Sequence, residues 1–177
     1  MNGAAFWDHT SAIYRKPDVA AACLALQDRR GLDVNFLLFA LWRAADGQGP
    51  LDRAALALAD GRVALWRETV VEQLRAARNA IKAGVAHAPV EPAEALRKAI
   101  IGQEIEGERL AHMILAEAPI APVPSTDRAA DAAASLLAYA GYKGFAPDSC
   151  DRADLRVLLA AAFPETPAAA LDRLVGI

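Results

Sequence analysis

The chain has 177 residues, a net charge of −3 and a charged fraction of 23%. That is an ordinary soluble balance, without the basic excess that draws a protein onto nucleic acid. Hydrophobic residues reach 55% and aromatics only 6%. Alanine supplies much of the difference and loses no side-chain entropy on entering a helix, so the composition favours helices.

A chain of this size suits one domain and buries roughly 70% of the surface its unfolded form exposes, enough for a core without staples. Cys23 and Cys150 lie far apart and lack metal or redox spacing; a disulfide between them stays open, but the pair fits a reducing compartment better than a stapled secreted fold. The start of the chain has no basic stretch followed by an apolar run, so a cytoplasmic location is expected. No apolar run approaches the ~20 residues that span a bilayer, so membrane insertion is not expected.

Apolar residues recur at helical spacing almost throughout, and no alternating run reads as a strand. The spacing predicts a first helix over 6–15, closed at Lys16 because the following Pro17 disfavours helical geometry there. Pro17 then opens a second helix over 18–30, which Gly31 ends in a left-handed conformation. Asp33 is placed to cap a third helix over 34–45. The loop "DGQGP" follows, and Asp52 caps a short fourth helix that stops before Gly61. Two long helices are expected next, over 62–83 and 91–118. The apolar stripe of the first is Trp66, Val70, Leu74, Ala77 and Ile81. The proline-rich stretch 119–125 reads as an extended linker. Three further helices are expected over 126–142, 151–163 and 167–175. The expectation is an all-α, mostly antiparallel domain of about eight helices. Its core is 1–118, and the C-terminal segment 126–177 folds back on that core.

The third helix is apolar nearly all round, which marks a central, buried helix. Asn35 shares a face with Phe39 and Trp42. A polar run, Gln27, Asp28, Arg29, Arg30, Asp33 and Asn35, precedes this apolar stretch. Its plainer reading is capping at a helix–helix corner, with Arg29 or Arg30 reaching the last carbonyls of their own helix. Its sharper reading is the mouth of a site.

Phe6–Trp7, Tyr14, Pro17, "ACLALQD" at 22–28, Gly31, "DVN" at 33–35, "LLF" at 37–39 and Trp42 resemble a bacterial family of small helical proteins of unknown function. Trp66, Val70–Val71 and the Arg75, Arg78, Lys82 series are similar to its second half. The likeness covers about 5–117; Thr10 and Asp18 depart from the serine and glycine associated with those positions. It implies a helical fold and supplies no mechanism.

Arg67, Arg75, Arg78 and Lys82 share one face of the first long helix. Glu104, Glu108 and His112 form a ladder on the second, beside Ile101, Ile105 and Leu115. Antiparallel packing would bring Arg75 or Arg78 to Glu104 or Glu108. The plainer reading is an inter-helix ion pair. The sharper one is an anion pocket with arginine clamps and Glu108 as acid or base. Glu108 and His112 lack the second Glu/His pair of a carboxylate-bridged metal centre, so no metal is expected. Neither a nucleophile elbow nor a phosphate-binding glycine loop occurs, so no cofactor is expected. Gly102 and Gly107 read as close-packing positions, and Trp7, Tyr14, Trp42 and Trp66 as packing residues.

Two functional readings follow. The first is a non-catalytic interaction or regulatory module whose partner is a protein. The second is a protein or enzyme that binds a small molecule, specifically an anion. Its ligand-binding set would be Gln27, Asp28, Asp33, Asn35, Arg75, Arg78, Glu104 and Glu108. The sequence does not decide whether a reaction is catalysed.

Overall fold

A computed structural model describes residues 3–177, which are all-α with no strand among them. The helices are α1 (Gly3–Tyr14), α2 (Val19–Arg30), α3 (Val34–Ala45), α4 (Arg53–Trp66), α5 (Glu72–Ala83), α6 (Val90–Ala116), α7 (Arg128–Tyr142), α8 (Ser149–Ala162) and α9 (Ala168–Val175). The central helix is α3, buried at every position from Phe36 to Ala44. It packs against α1, α2, α6, α7 and α8, which is what an all-round apolar helix requires. Asp33 caps it, its carboxylate accepting from Asn35 N at 2.8 Å. Gly31 ends α2 at φ 64°, its N–H donating to the Gln27 carbonyl.

Three local expectations are corrected. The second helix begins at Val19, with Asp18 left-handed at φ 64° and its side chain making no cap bond. Pro17 therefore stands in the turn outside the helix. Gly61 breaks nothing: it is an exposed residue inside α4. A helical glycine costs only ~1 kcal/mol against alanine, and burial of Leu56, Ala59 and Val63 on either side outweighs that. Helix α4 runs on into α5 through one wide turn, Arg67–Val71, in which Glu72 N–H bonds the Arg67 carbonyl five residues back. Arg29 and Arg30, finally, do not serve the carbonyls of α2. Both reach the fully buried Asp151 of α8, Arg29 Nη2 at 3.0 Å and Arg30 Nε at 2.9 Å, with Asp154 and Asp148 as outer partners. Ion pairs to a buried carboxylate outcompete a bond to an uncharged carbonyl.

Helices α5 and α6 form an antiparallel hairpin. No α5 residue is buried, and the buried residues of α6 begin at Gly107, so the outer half of the hairpin packs on itself. Ala77, placed on its apolar stripe, is exposed, whereas Val71 is buried. The wide turn has shifted the inward face toward Val71, Arg75 and Arg78. Gly107 packs beside Val71 and Leu74, while Gly102 stands in the open with nothing against it. The stretch 119–125 is non-helical and lies on the α3–α4 loop, where Val123 N donates to the Gln48 carbonyl at 2.9 Å. Beyond it α7 packs on α3, α8 on α2, and α9 on both α7 and α8.

Candidate functional site

The first turn of α3 points Asn35 at α6. Its backbone N–H is held by Asp33, which leaves the side-chain amide free to reach across. Nδ2 donates to Glu108 Oε2 at 2.6 Å, and Oδ1 lies 2.8 Å from His112 Nε2. A carboxylate only accepts, so Glu108 fixes which end of the amide faces it. The oxygen then faces the imidazole, and Nε2 must carry the hydrogen. His112 Nδ1 is left as an acceptor 3.4 Å from Thr10 Oγ1, whose single hydrogen is shared with the Trp7 carbonyl at 3.1 Å. The ring stacks on Phe6 at 4.3 Å. Burial pushes its pKa down to about 4, so it is neutral at pH 7.

Glu108 also accepts from Arg75 Nη2 at 2.8 Å. Arg75 Nε turns to Glu104 at 3.2 Å, and Arg78 Nε reaches the other Glu104 oxygen at 2.6 Å. The two glutamates differ in environment. Burial opposes ionisation of Glu104, but the Arg78 and Arg75 hydrogen bonds outweigh it and hold its pKa below the ordinary value. At Glu108 burial wins over the Asn35 hydrogen bond and the Arg75 charge, and the pKa is raised. Asp33 is raised as well, burial prevailing over its bond from Asn35 N and the Arg67 charge. Arg67 in turn bonds Asp60 at 2.9 Å, and Asp33 N donates to Tyr139 Oη at 3.0 Å.

Of these groups Asp33, Asn35, Arg75, Glu108 and His112 form one wall of a cavity of ≈ 710 Å³ between α1, α2, α3 and α6. Trp7, Tyr14 and Leu38 supply apolar lining, and Leu24 and Ile105, 47% and 54% exposed, belong to its mouth. Among the described residues, Trp7 Nε1, Tyr14 Oη and the Gln27 amide have no hydrogen-bond partner. Two smaller cavities adjoin. One, ≈ 300 Å³, lies on the far side of Glu108 between Arg78, Ile101 and Glu104. The other, ≈ 400 Å³, shares Gln27, Asp33, Asn35, Arg75 and Glu108 with the large one and continues to Arg67 and Lys143.

Of the residues singled out from sequence, Gln27, Asp33, Asn35, Arg75 and Glu108 line the large cavity, while Arg78 and Glu104 line its neighbour. Asp28 is exposed and lines neither. The arginine clamp is closed: Arg75 and Arg78 are already held by Glu104 and Glu108. Sequence reasoning left Trp7, Thr10, Tyr14 and His112 out of the site. Their signal was present, since Trp7, Thr10 or Ser11, and Tyr14 recur at three- and four-residue spacing on α1. Among the described residues, no group of three or more His, Cys, Asp or Glu converges as metal ligands would. No helix among them is long and apolar enough to cross a membrane.

A family model described as "Protein of unknown function (DUF2390)" matches residues 5–115, and the chain belongs to that family. Every residue lining the large cavity falls within the matched stretch. Neither the curated proteins nor the solved structures contain a match to the chain.

Proposed function

We propose that this member of a family described without an activity binds a small, largely apolar molecule with a polar end in the ≈ 710 Å³ cavity. One observation carries the reading. An apolar, aromatic-lined cavity of ligand size ends on a convergent set of polar groups, Asn35, Glu108 and Arg75, which is how small-molecule sites are built. The committed state of Arg75 and Arg78 turns the reading away from an anion. A carboxylate or phosphate would have to displace Glu104 or Glu108 from its guanidinium partner.

The free thiols Cys23 and Cys150 support a cytoplasmic setting. Burial pushes the Cys23 thiol up to about 12, which leaves it unreactive. A second reading, docking on a protein partner, draws on exposed Val85, Val90 and Leu96 of the α5–α6 hairpin.

Native mass spectrometry of the gently purified protein separates the two. A small-mass adduct that disappears in Ser11→Trp, which fills the cavity from α1, is the expected result. Identical adduct-free spectra for the two proteins would overturn the cavity reading, and a stoichiometric protein companion would favour the second.

A further inference from the structure

We infer that the polar end of the ligand is a cation, an ammonium group carried on an apolar body. The inference rests on the cavity being a ligand site and adds the charge of what fills it.

The charges behind the wall do not balance. Asp33 and Asp60 pair with Arg67, and Glu104 and Glu108 pair with Arg75 and Arg78. Glu68, which also reaches Arg67, and Lys143, which acts on Asp33, are exposed and screened by solvent. Among the partly buried groups, four carboxylates stand against three guanidiniums. The shortfall falls on the two carboxylates that face the large cavity. Glu108 shares its single guanidinium, Arg75, with Glu104, and its second oxygen has only the uncharged Asn35 amide. Asp33 has Arg67 at 3.6 Å, and that guanidinium is drawn to Asp60 at 2.9 Å. Both carboxylates are harder to ionise than in water, as burial without full counter-charge requires. His112 contributes no charge, being neutral. Arg15 also lines the cavity, but it is an exposed residue whose Nε donates to the Ser11 carbonyl, so solvent screens its charge.

The apolar lining fits the same ligand. Among the described residues no cation stands over the indole of Trp7 or the phenol of Tyr14, and aromatic faces attract an organic cation. An ammonium entering past Leu24 and Ile105 gains a partly buried carboxylate ahead and aromatic rings beside it. An alcohol of equal length gains only a hydrogen bond, and a carboxylate meets repulsion from Glu108 and Asp33.

Calorimetric titration of the full chain at pH 7 with n-octylammonium, 1-octanol and octanoate tests this. The expected order places n-octylammonium tighter than 1-octanol by at least about tenfold, with octanoate weakest. Glu108→Gln should bring n-octylammonium down to the level of 1-octanol measured on the same variant. Octanoate or 1-octanol binding as tightly as the ammonium to the native protein would overturn the cation assignment and leave the cavity as a binding site. Failure of all three probes would overturn the cavity reading itself. The native-protein series decides the question even if Glu108→Gln does not fold, and Ser11→Trp should abolish binding of every probe.

Discussion

Asn35 and Glu108, 73 residues apart in the chain, meet at 2.6 Å and join the central helix to α6. The same amide holds His112 through its oxygen. One neutral side chain therefore satisfies an acidic and an imidazole group at once, in a half-buried place where neither is well served by water.

Replacing Asn35 by alanine strips Glu108 of one donor and leaves His112 Nε2–H unbonded, at a cost of about 1–3 kcal/mol. Asn35→Asp should be worse at pH 7, because it sets a second carboxylate against Glu108. It should recover in acid, where one of the pair protonates. Thermal melts of both variants at pH 7 and pH 5 check this. An Asn35→Ala protein that melts with the native one would show that the bridge does not hold the helices.

His112 sets a pH dependence of known sign. Its folded pKa, about 4, lies below the ordinary 6.5, so between those values the unfolded chain binds a proton that the folded chain refuses. The stability it contributes is present above pH 6.5 and is lost as pH falls toward 4, by up to about 3 kcal/mol. Glu108 and Asp33, with raised values, act in the opposite sense: their contribution is present in acid and is lost as pH rises through their folded pKa. The informative quantity is therefore a difference. His112→Gln keeps a donor for Asn35 but does not titrate, so its urea midpoint should approach that of the native protein as pH falls from 6.5 to 4. Parallel profiles would refute the assignment.

Arg75 and Arg78 should not be equivalent. Arg75→Ala leaves both glutamates short of a partner and should cost about 1–3 kcal/mol, discounted for partial exposure. Arg78→Ala leaves Glu104 with Arg75 and should cost less than about 1 kcal/mol. Because Arg78 lines the neighbouring cavity and not the large one, its loss should also spare 1-octanol binding. Equal melting temperatures for the two variants would contradict this division of labour.

Two glycines should respond with opposite sign to alanine. Gly102 sits in helix with open space around it, so Gly102→Ala should stabilise by about 0.5–1 kcal/mol. Gly49 has φ 73°, and a Cβ there would meet the Val123 carbonyl oxygen at 2.2 Å. Gly49→Ala should loosen the 119–125 stretch, read as faster proteolytic cleavage within it. Unchanged cleavage would show that this contact does not hold the stretch.

The elements most visible in the sequence were those governed by local chemistry. Asp33 and Asp52 cap their helices, and Gly31 closes α2, because a cap depends on residues two to four positions away. The facing of Arg75 and Arg78 toward Glu104 and Glu108 was also legible, since two periodic faces joined by a short loop have few ways to meet. Partnerships between distant elements were not. Nothing near Arg29 and Arg30 announces Asp151, 122 and 121 residues away. His112 looked like a helix-face neighbour of Glu108, and only the tertiary fold set Asn35 between them. Trp7 and Tyr14 carry the composition of a core. Whether an aromatic ring fills space or borders it depends on what is missing beside it, and a sequence does not record gaps.

The wide turn at Arg67–Val71 has a consequence for how this helix tolerates change in length. An α-helix advances about 100° per residue, so the eight steps from Val63 to Val71 would leave the two roughly 80° out of phase. Absorbing one extra residue in the wide turn brings them back to within about 20°, and both are buried. The turn thus works as a phase corrector between a half of the helix keyed to the core and a half keyed to α6. Deleting one residue there would let the helix regularise while keeping downstream faces aligned. Deleting one in α5, past the corrector, would swing Arg75 or Arg78 away from the glutamates with nothing left to absorb the slip.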